Sequence, residues 1–308
     1  MILYNDNYSP AAPSVVALGC FDGVHLGHRA VIEEAVRISK QLGLASAAWT
    51  FSEPPKNFFS PNSVLLLTDK EEKCKRISDL GVELIFCVDF NAKIATLSPE
   101  EFFSEIVIKK LNARHVVCGF NYTFGAKSSG NTELLSKLCK QYGIGLTALE
   151  PVTIDGMAIS SSLIRSHIQN GEMEEARKYL GYPYSITATV VDGQKLARRL
   201  GFPTVNLIPA RSAVLPKNGV YVSRVDFEGT RRELFGITNV GLRPTVKADG
   251  VCAETHIFDF DGDLYGKELR VELLHFIRSE RLFDSIEELR EQVRLDIECA
   301  KNFATKIR

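Results

Sequence analysis

This chain of 308 residues carries almost no net charge: 37 basic against 38 acidic side chains leave −1 at pH 7. Without a field of one sign, neither nucleic acid nor an anionic membrane surface is expected as a partner. No apolar run is long enough to span a bilayer. The opening residues Met1–Asp6 lack a basic stretch ahead of an apolar core, so no secretory leader is expected. Cysteine pairing is missing as well. Cys20, Cys74, Cys87, Cys118, Cys139, Cys252 and Cys299 are odd in number, scattered and never spaced C-x-x-C. That pattern argues against a zinc site or disulfide framework and fits reduced core thiols in a cytoplasmic protein. Internal repeats and low-complexity segments are absent too. What remains is an ordinary globular composition, 45% apolar and 24% charged, at a length that predicts two domains.

The most informative segment is Gly19-Cys20-Phe21-Asp22-Gly23-Val24-His25-Leu26-Gly27-His28. It follows the apolar run Val15–Leu18 and precedes the helical periodicity of Val31, Ile32, Ala35, Val36 and Ile38, so it reads as strand, glycine-bearing loop and helix start. Helix N-termini attract phosphate through exposed N–H groups and the macrodipole, and two imidazoles add donors. The competing reading is a plain βα turn with two surface histidines.

Up to about Gly181 the pattern alternates strand candidates with helices. The strands are Val15–Leu18, Ala45–Phe51, Leu84–Val88, His115–Gly119 and Ile144–Leu149; the helices lie near His28–Leu42, Asp69–Leu80, Pro99–Leu111 and Asn131–Tyr142. Ser98, Pro99 and Glu101 form a capping-box start for the third helix. This alternation predicts a parallel sheet covered by helices, with ligands beyond the carboxyl ends of its strands. From Tyr184 the period becomes two, with candidate strands Ser185–Val191, Gly219–Asp226, Glu233–Val240, Ala253–Phe260 and Glu268–Phe276. An antiparallel sheet or small barrel follows, closed by a helix that starts at Ser285 and Glu288. The boundary is placed at Gly181-Tyr182-Pro183, giving domains 1–183 and 184–308.

Four further segments carry candidate chemistry. Gly119–Gly125 sets Asn121 between glycines, either a nucleotide grip or a turn. Ile159–Arg165 offers Ser160, Ser161 and Ser162 at a helix start with Arg165 one turn on, which is an anion clamp or a set of ordinary N-caps. Leu200–Leu207 spaces Thr204 and Asn206 by two, on one side of extended chain, as a pair of oxygen ligands for Mg²⁺ would be. Glu254 in Ala253-Glu254-Thr255-His256 is a solvent-facing residue or a general base facing a cavity.

In this order, and over essentially the whole chain, these segments resemble the prokaryotic bifunctional riboflavin kinase/FMN adenylyltransferase (FAD synthetase) family. Gly19–His28 resembles its H-x-G-H loop, Gly119–Gly125 its G-x-N/D-x-x-F-G segment and Ile159–Arg165 its I-S-S-T-x-I-R segment. Leu200–Leu207 matches L-G-F-P-T-A-N-L. Thr238–Thr245, Glu254–His256, Asp259–Gly266 and Arg278–Phe283 match in the second half. The resemblance implies an α/β Rossmann-like nucleotidyltransferase domain followed by an antiparallel β-barrel riboflavin kinase domain with a C-terminal helix. It implies phosphorylation of riboflavin by ATP and adenylylation of FMN to FAD, with Mg²⁺ as cofactor and flavins as substrates and products.

By the same resemblance, His25 and His28 serve adenylyl transfer and Glu254 is the base of the kinase. ATP contacts fall to Gly19, Phe21, Asp22, His25, His28, Asn121, Ser161, Ser162 and Arg165 in the first half, and to Gly201, Thr204 and Asn206 in the second. Thr204 and Asn206 also hold the metal. Departures from the family pattern are Thr50–Pro55, which lacks a histidine of T-F-E-P-H-P, then Val205 for alanine, and Ala188 and Ala197 where glycine is common. Should Ala188 or Ala197 need positive φ, the kinase loop would be strained. The alternatives are an FMN adenylyltransferase with an impaired kinase half, a related nucleotidyltransferase with another acceptor, and a flavin-binding regulator without turnover.

Overall fold

The computed structural model of the protein describes residues 2–4, 12–192, 201–230, 233–242 and 251–307. Ala197 therefore lies outside the described residues. The chain divides into two compact units, Met1–Ser161 and Ser162–Arg308.

The first unit is a six-stranded parallel sheet. Its strands are β1 (Ile2–Tyr4), β2 (Ser14–Leu18), β3 (Ala45–Phe51), β4 (Leu84–Val88), β5 (Ala113–Gly119) and β6 (Gly145–Leu149), in spatial order β1-β4-β3-β2-β5-β6. Continuous apolar strands suit burial on both faces. In β2, Val16 and Leu18 enter one core with Trp49, Phe86 and Phe103, whereas Val15 and Ala17 enter the opposite core with Ile32, Ala35 and Ile77. The helices are α1 (Leu26–Leu42), α2 (Pro55–Phe59), α3 (Lys70–Asp79), α4 (Ala92–Thr96), α5 (Pro99–Glu101, running on as the π-helix Phe102–Lys110) and α6 (Thr132–Tyr142).

The Ser98–Glu101 capping box forms as its residues predict. The wider turn that follows, seen in the Leu111 N–H to Ile106 carbonyl bond of 2.9 Å, was not expected. A short hairpin, β7 (Thr153–Ile154) and β8 (Met157–Ala158), ends the unit. Chain order reverses at β2, whose neighbours β3 and β5 carry the chain to opposite sides. The crevice of such a sheet opens beyond the carboxyl ends of β2 and β5, so the loops at 19–25 and 120–125 are the ones placed to meet a ligand.

The second unit begins with α7 (Ser161–Asn170, from its second residue) and α8 (Met173–Leu180). They belong with the barrel because Lys217 N donates to Ile168 O at 3.3 Å and His275 bonds Glu174 of α8. Strands β9 (Ser185–Val191), β10 (Val205–Leu207), β11 (Gly219–Phe227), β12 (Leu234–Leu242), β13 (Val251–Ile257) and β14 (Glu268–Arg278) close into an antiparallel barrel ordered β10-β13-β12-β11-β14-β9. Helix α9 (Ile286–Ile307) lays Val293, Ile297, Ala300 and Ala304 on Val220, Val222, Phe235 and Ile237. Those strand residues therefore face outward, and their neighbours Tyr221, Ser223, Thr238 and Thr255 face the interior. There the hydroxyl of Thr238 bonds those of Ser223 (2.8 Å) and Thr255 (2.9 Å), so the buried oxygens are satisfied.

Candidate active sites

The first site is built around the β2–α1 loop. His25 is the N-cap of α1, and its Nδ1 accepts the His28 N–H at 3.2 Å. That bond leaves Nδ1 without a proton, so the ring N–H of His25 sits on Nε2. The His25 and His28 rings stack at 3.5 Å between centroids and 16° between planes, and the Phe21 and His28 rings meet at near right angles, 5.5 Å between centroids. His25 is 4% exposed and His28 half-buried, which makes His28 the more accessible of the pair. Gly27 lets the rings sit this close to the helix, since a Cβ there would lie 3.3 Å from the His25 imidazole.

Asp22, expected at the nucleotide, is buried and accepts the Leu67 N–H at 3.0 Å, while its own carbonyl accepts the Ser161 hydroxyl at 3.2 Å. Its carboxylate thus holds the neighbouring segment against the loop. Gly19 admits the Phe21 ring beside the backbone. Asn121 is exposed in the loop after β5, next to Gly119. Ser162 is exposed and Arg165 half-buried in the opening turns of α7.

Two features here were not anticipated. The segment Val64–Thr68 supplies backbone and hydroxyl partners to the loop, including Thr68 Oγ1, which accepts the Gly23 N–H at 3.2 Å. Nothing in its composition marks it out, since hydrogen bonds to backbone leave no periodicity. Second, Phe51, Phe58, Phe59 and Phe90 meet edge-to-face beyond the carboxyl ends of β3 and β4, with Phe58 and Phe59 exposed. The Phe58-Phe59 pair was the legible signal. The shelf stands where Thr50–Pro55 departs from the family pattern.

The second site lies on the outer face of the barrel. Glu254 on β13 stands directly opposite Asn206 of β10 on one side and Asn239 of β12 on the other. Directly opposed residues share a face with Cβ atoms about 5 Å apart, so the three polar side chains form a row across three strands. Glu254 is thus half-buried on the face away from Thr238 and Thr255. Asn206 is buried, and its Oδ1 takes a long contact of 3.8 Å from Cys252 Sγ. His256, two residues from Glu254 and on the same face, donates Nδ1–H to the Pro203 carbonyl at 2.9 Å and ties the segment before Thr204 to β13. Gly201 has φ 90°, the left-handed conformation that favours glycine.

Val205 pairs with Thr255, so its side chain points inward, away from Asn206. Ala188 sits in β9 opposite Leu269 without positive φ and strains nothing.

Comparison with known proteins gives two family matches, FAD synthetase over residues 8–163 and riboflavin kinase over residues 180–304. The bifunctional riboflavin kinase/FMN adenylyltransferase of Bacillus subtilis (strain 168) is 37% identical over 303 residues, covering 96% of this chain and 94% of its own. The chain belongs to the bifunctional riboflavin kinase/FMN adenylyltransferase family. A second relative of that name, from Escherichia coli (strain K12), is 33% identical over 302 residues, covering 98% of this chain and 96% of its own. A solved structure described as a macrolide-efflux protein from Streptococcus pneumoniae superimposes with a TM-score of 0.89 at 32% identity, covering 98% of this chain and 99% of that one. Among the described residues here, no helix is long and apolar enough to cross a membrane. Both halves of this two-activity transferase family are present, a nucleotidyltransferase sheet followed by a kinase barrel.

Proposed function

We propose that the barrel transfers the γ-phosphoryl of ATP to the 5′-hydroxyl of riboflavin, and that the parallel-sheet half joins the resulting FMN to AMP, releasing pyrophosphate. The functional boundary is placed between residues 183 and 184, which keeps Ser162 and Arg165 with the adenylyl half. The observation that carries the reading is the paired imidazole loop at the switch point of the sheet, together with the Asn206–Glu254–Asn239 row on the barrel.

In adenylyl transfer an FMN phosphate oxygen attacks the α-phosphorus, the bond to the bridging oxygen breaks, and pyrophosphate leaves. No protein nucleophile is consumed, so catalysis consists of positioning and charge neutralisation. His28 donates to the phosphates, and His25 holds the helix start and donates from Nε2. Asn121, Ser161, Ser162 and Arg165 supply further donors to ATP, with Gly19 and Phe21 shaping the floor and Asp22 fixing the loop. The aromatic shelf at Phe51, Phe58, Phe59 and Phe90 offers a flat apolar face for the isoalloxazine ring, which offsets the histidine missing from Thr50–Pro55.

In the kinase step Glu254 takes the hydroxyl proton while Gly201 leaves the backbone open to the nucleotide. Thr204, Asn206 and Glu254 are hard oxygen donors, and Asn206 Oδ1 is engaged here by a weak thiol contact. This donor set fits Mg²⁺, held by Thr204 and Asn206 with ATP phosphates. When bound, the ion neutralises charge on the transferring phosphoryl group. The extended Ala188 and inward Val205 remove two of the three sequence grounds for an impaired kinase.

Riboflavin, ATP and Mg²⁺ incubated with purified protein should give FMN and then FAD by chromatography. His28→Ala should lower FAD formation by about 10²–10³-fold and spare FMN formation. Glu254→Gln should lower FMN formation by about 10²–10⁴-fold and spare FAD formation from supplied FMN. Loss of both activities in either folded variant contradicts the two-site assignment.

A further inference from the structure

The turn that presents the two histidines is held in backbone that its residues do not favour. Phe21 (φ 51°), Gly23 (φ 80°) and Val24 (φ 36°) are all left-handed, and a β-branched residue in that region is a genuine outlier. Such a turn persists only where its surroundings over-determine it. Its own closing bond runs from the Val24 N–H to the Phe21 carbonyl at 3.1 Å. Asp22, 2% exposed, reaches out to the Leu67 and Thr68 N–H groups at 3.0 and 3.4 Å. Thr68, 4% exposed, reaches in, and its Oγ1 accepts the Gly23 N–H at 3.2 Å. The hydroxyl is not spent on helix capping, because Asp69 caps α3 by accepting the Glu72 N–H.

We infer that Thr68 is a positioning residue for adenylyl transfer, fixing through the Gly23 N–H the strained turn that delivers His25 to the N-cap of α1 and His28 to its stacked seat. The Thr68 oxygen is a partner for a peptide N–H buried at the centre of the turn. Without it the turn loses this link to the neighbouring segment and relaxes toward conformations that Phe21 and Val24 prefer. The stacked imidazoles follow, because His25 is separated from Gly23 by one residue. This inference rests on His25 and His28 holding the nucleotide.

Thr68→Val keeps the side-chain shape and removes the oxygen, whereas Thr68→Ser keeps the oxygen and removes a methyl group. In Thr68→Val the kcat for FAD from FMN and ATP should fall about 10- to 100-fold, the loss expected of roughly 1 Å of misplacement. Thr68→Ser should restore it. Hydrogen exchange at the Gly23 amide should quicken in the valine variant alone, a change that general loosening of the fold would not confine to that residue. Riboflavin phosphorylation by the same preparations serves as the internal control and should be unchanged.

A wild-type kcat in Thr68→Val overturns the inference. So do equal losses in the valine and serine variants, or a parallel loss of kinase activity. His28→Ala, assayed alongside, separates the two levels. If it leaves FAD formation intact, the site reading beneath fails. If it abolishes FAD formation while Thr68→Val does not slow it, the role of Thr68 alone fails.

Discussion

Gly19→Ala is a minimal change with a large expected reach. An ideal Cβ at residue 19 would lie 2.4 Å from Phe21 Cε1, 2.7 Å from Cζ and 2.9 Å from Cδ1. Carbon atoms sit comfortably at about 3.5–4.0 Å, so the ring must retreat by roughly 1 Å. Phe21 is 1% exposed, packed in the core with Ile32 and Val36, and in T-shaped contact with the His28 ring. Overpacking of this kind costs about 1–3 kcal/mol of stability. Transmitted to His28, the same displacement should slow FAD formation by about 10²-fold. The assay is steady-state conversion of FMN and ATP to FAD, with riboflavin phosphorylation and a thermal melt on the same preparation. Unchanged FAD kinetics in Gly19→Ala would show that Phe21 does not seat His28. Recovery of rate on adding Phe21→Leu to Gly19→Ala would locate the fault in the ring.

Two further expectations concern stability. Asp296 is 2% exposed, accepts Arg278 Nε at 3.0 Å and Nη2 at 2.7 Å, and takes Gln292 Nε2 at 2.8 Å. Asp296→Ala leaves the Arg278 guanidinium without its carboxylate and should lower the unfolding free energy of the second unit by about 3 kcal/mol, read by denaturant titration. A loss below about 1 kcal/mol would mean that solvent compensates the charge. In the first unit, burial holds the His115 imidazole below its ordinary value, with Nε2 2.9 Å from Thr147 Oγ1. Because the folded value lies below the unfolded one near 6.5, the contribution is intact above that pH and is lost as pH falls toward the folded value. Stability measured between pH 7.5 and 5 should therefore decline less in His115→Gln than in the parent, and identical slopes would refute the assignment.

Much of this was legible from residues alone. The runs Val15–Leu18, Ala45–Phe51 and Leu84–Val88 formed strands because each must be apolar on both faces of a covered parallel sheet. The glycine-histidine loop fell where a strand run gives way to helical periodicity. The face chosen by Glu254 was not legible. Alternation offers two sides, and the choice appears only once α9 claims the face of Val220 and Val222 and register places Glu254 beside Asn239. The π-helical turn after Glu101 escaped for a different reason: one extra residue per turn barely disturbs the apolar spacing of Phe102, Phe103 and Val107. The clamp on the loop escaped because its bonds run to peptide groups, which every residue possesses.

With Glu254 as the proposed base, the polar row across β10, β13 and β12 makes phosphorylation a matter of parity. Insertion or deletion of one residue upstream of Glu254 within β13 would turn its carboxylate into the hydroxyl-lined interior and bring Thr255 to the surface in its place. Among the described residues, each strand of the closed barrel has a neighbour on both sides, and Glu254 itself is paired on both, which pins its register. Changes in length are therefore tolerable in the connecting loops of this unit, whereas removing one residue from 251–253 should abolish FMN formation and removing two should return the Glu254 carboxylate to its original face.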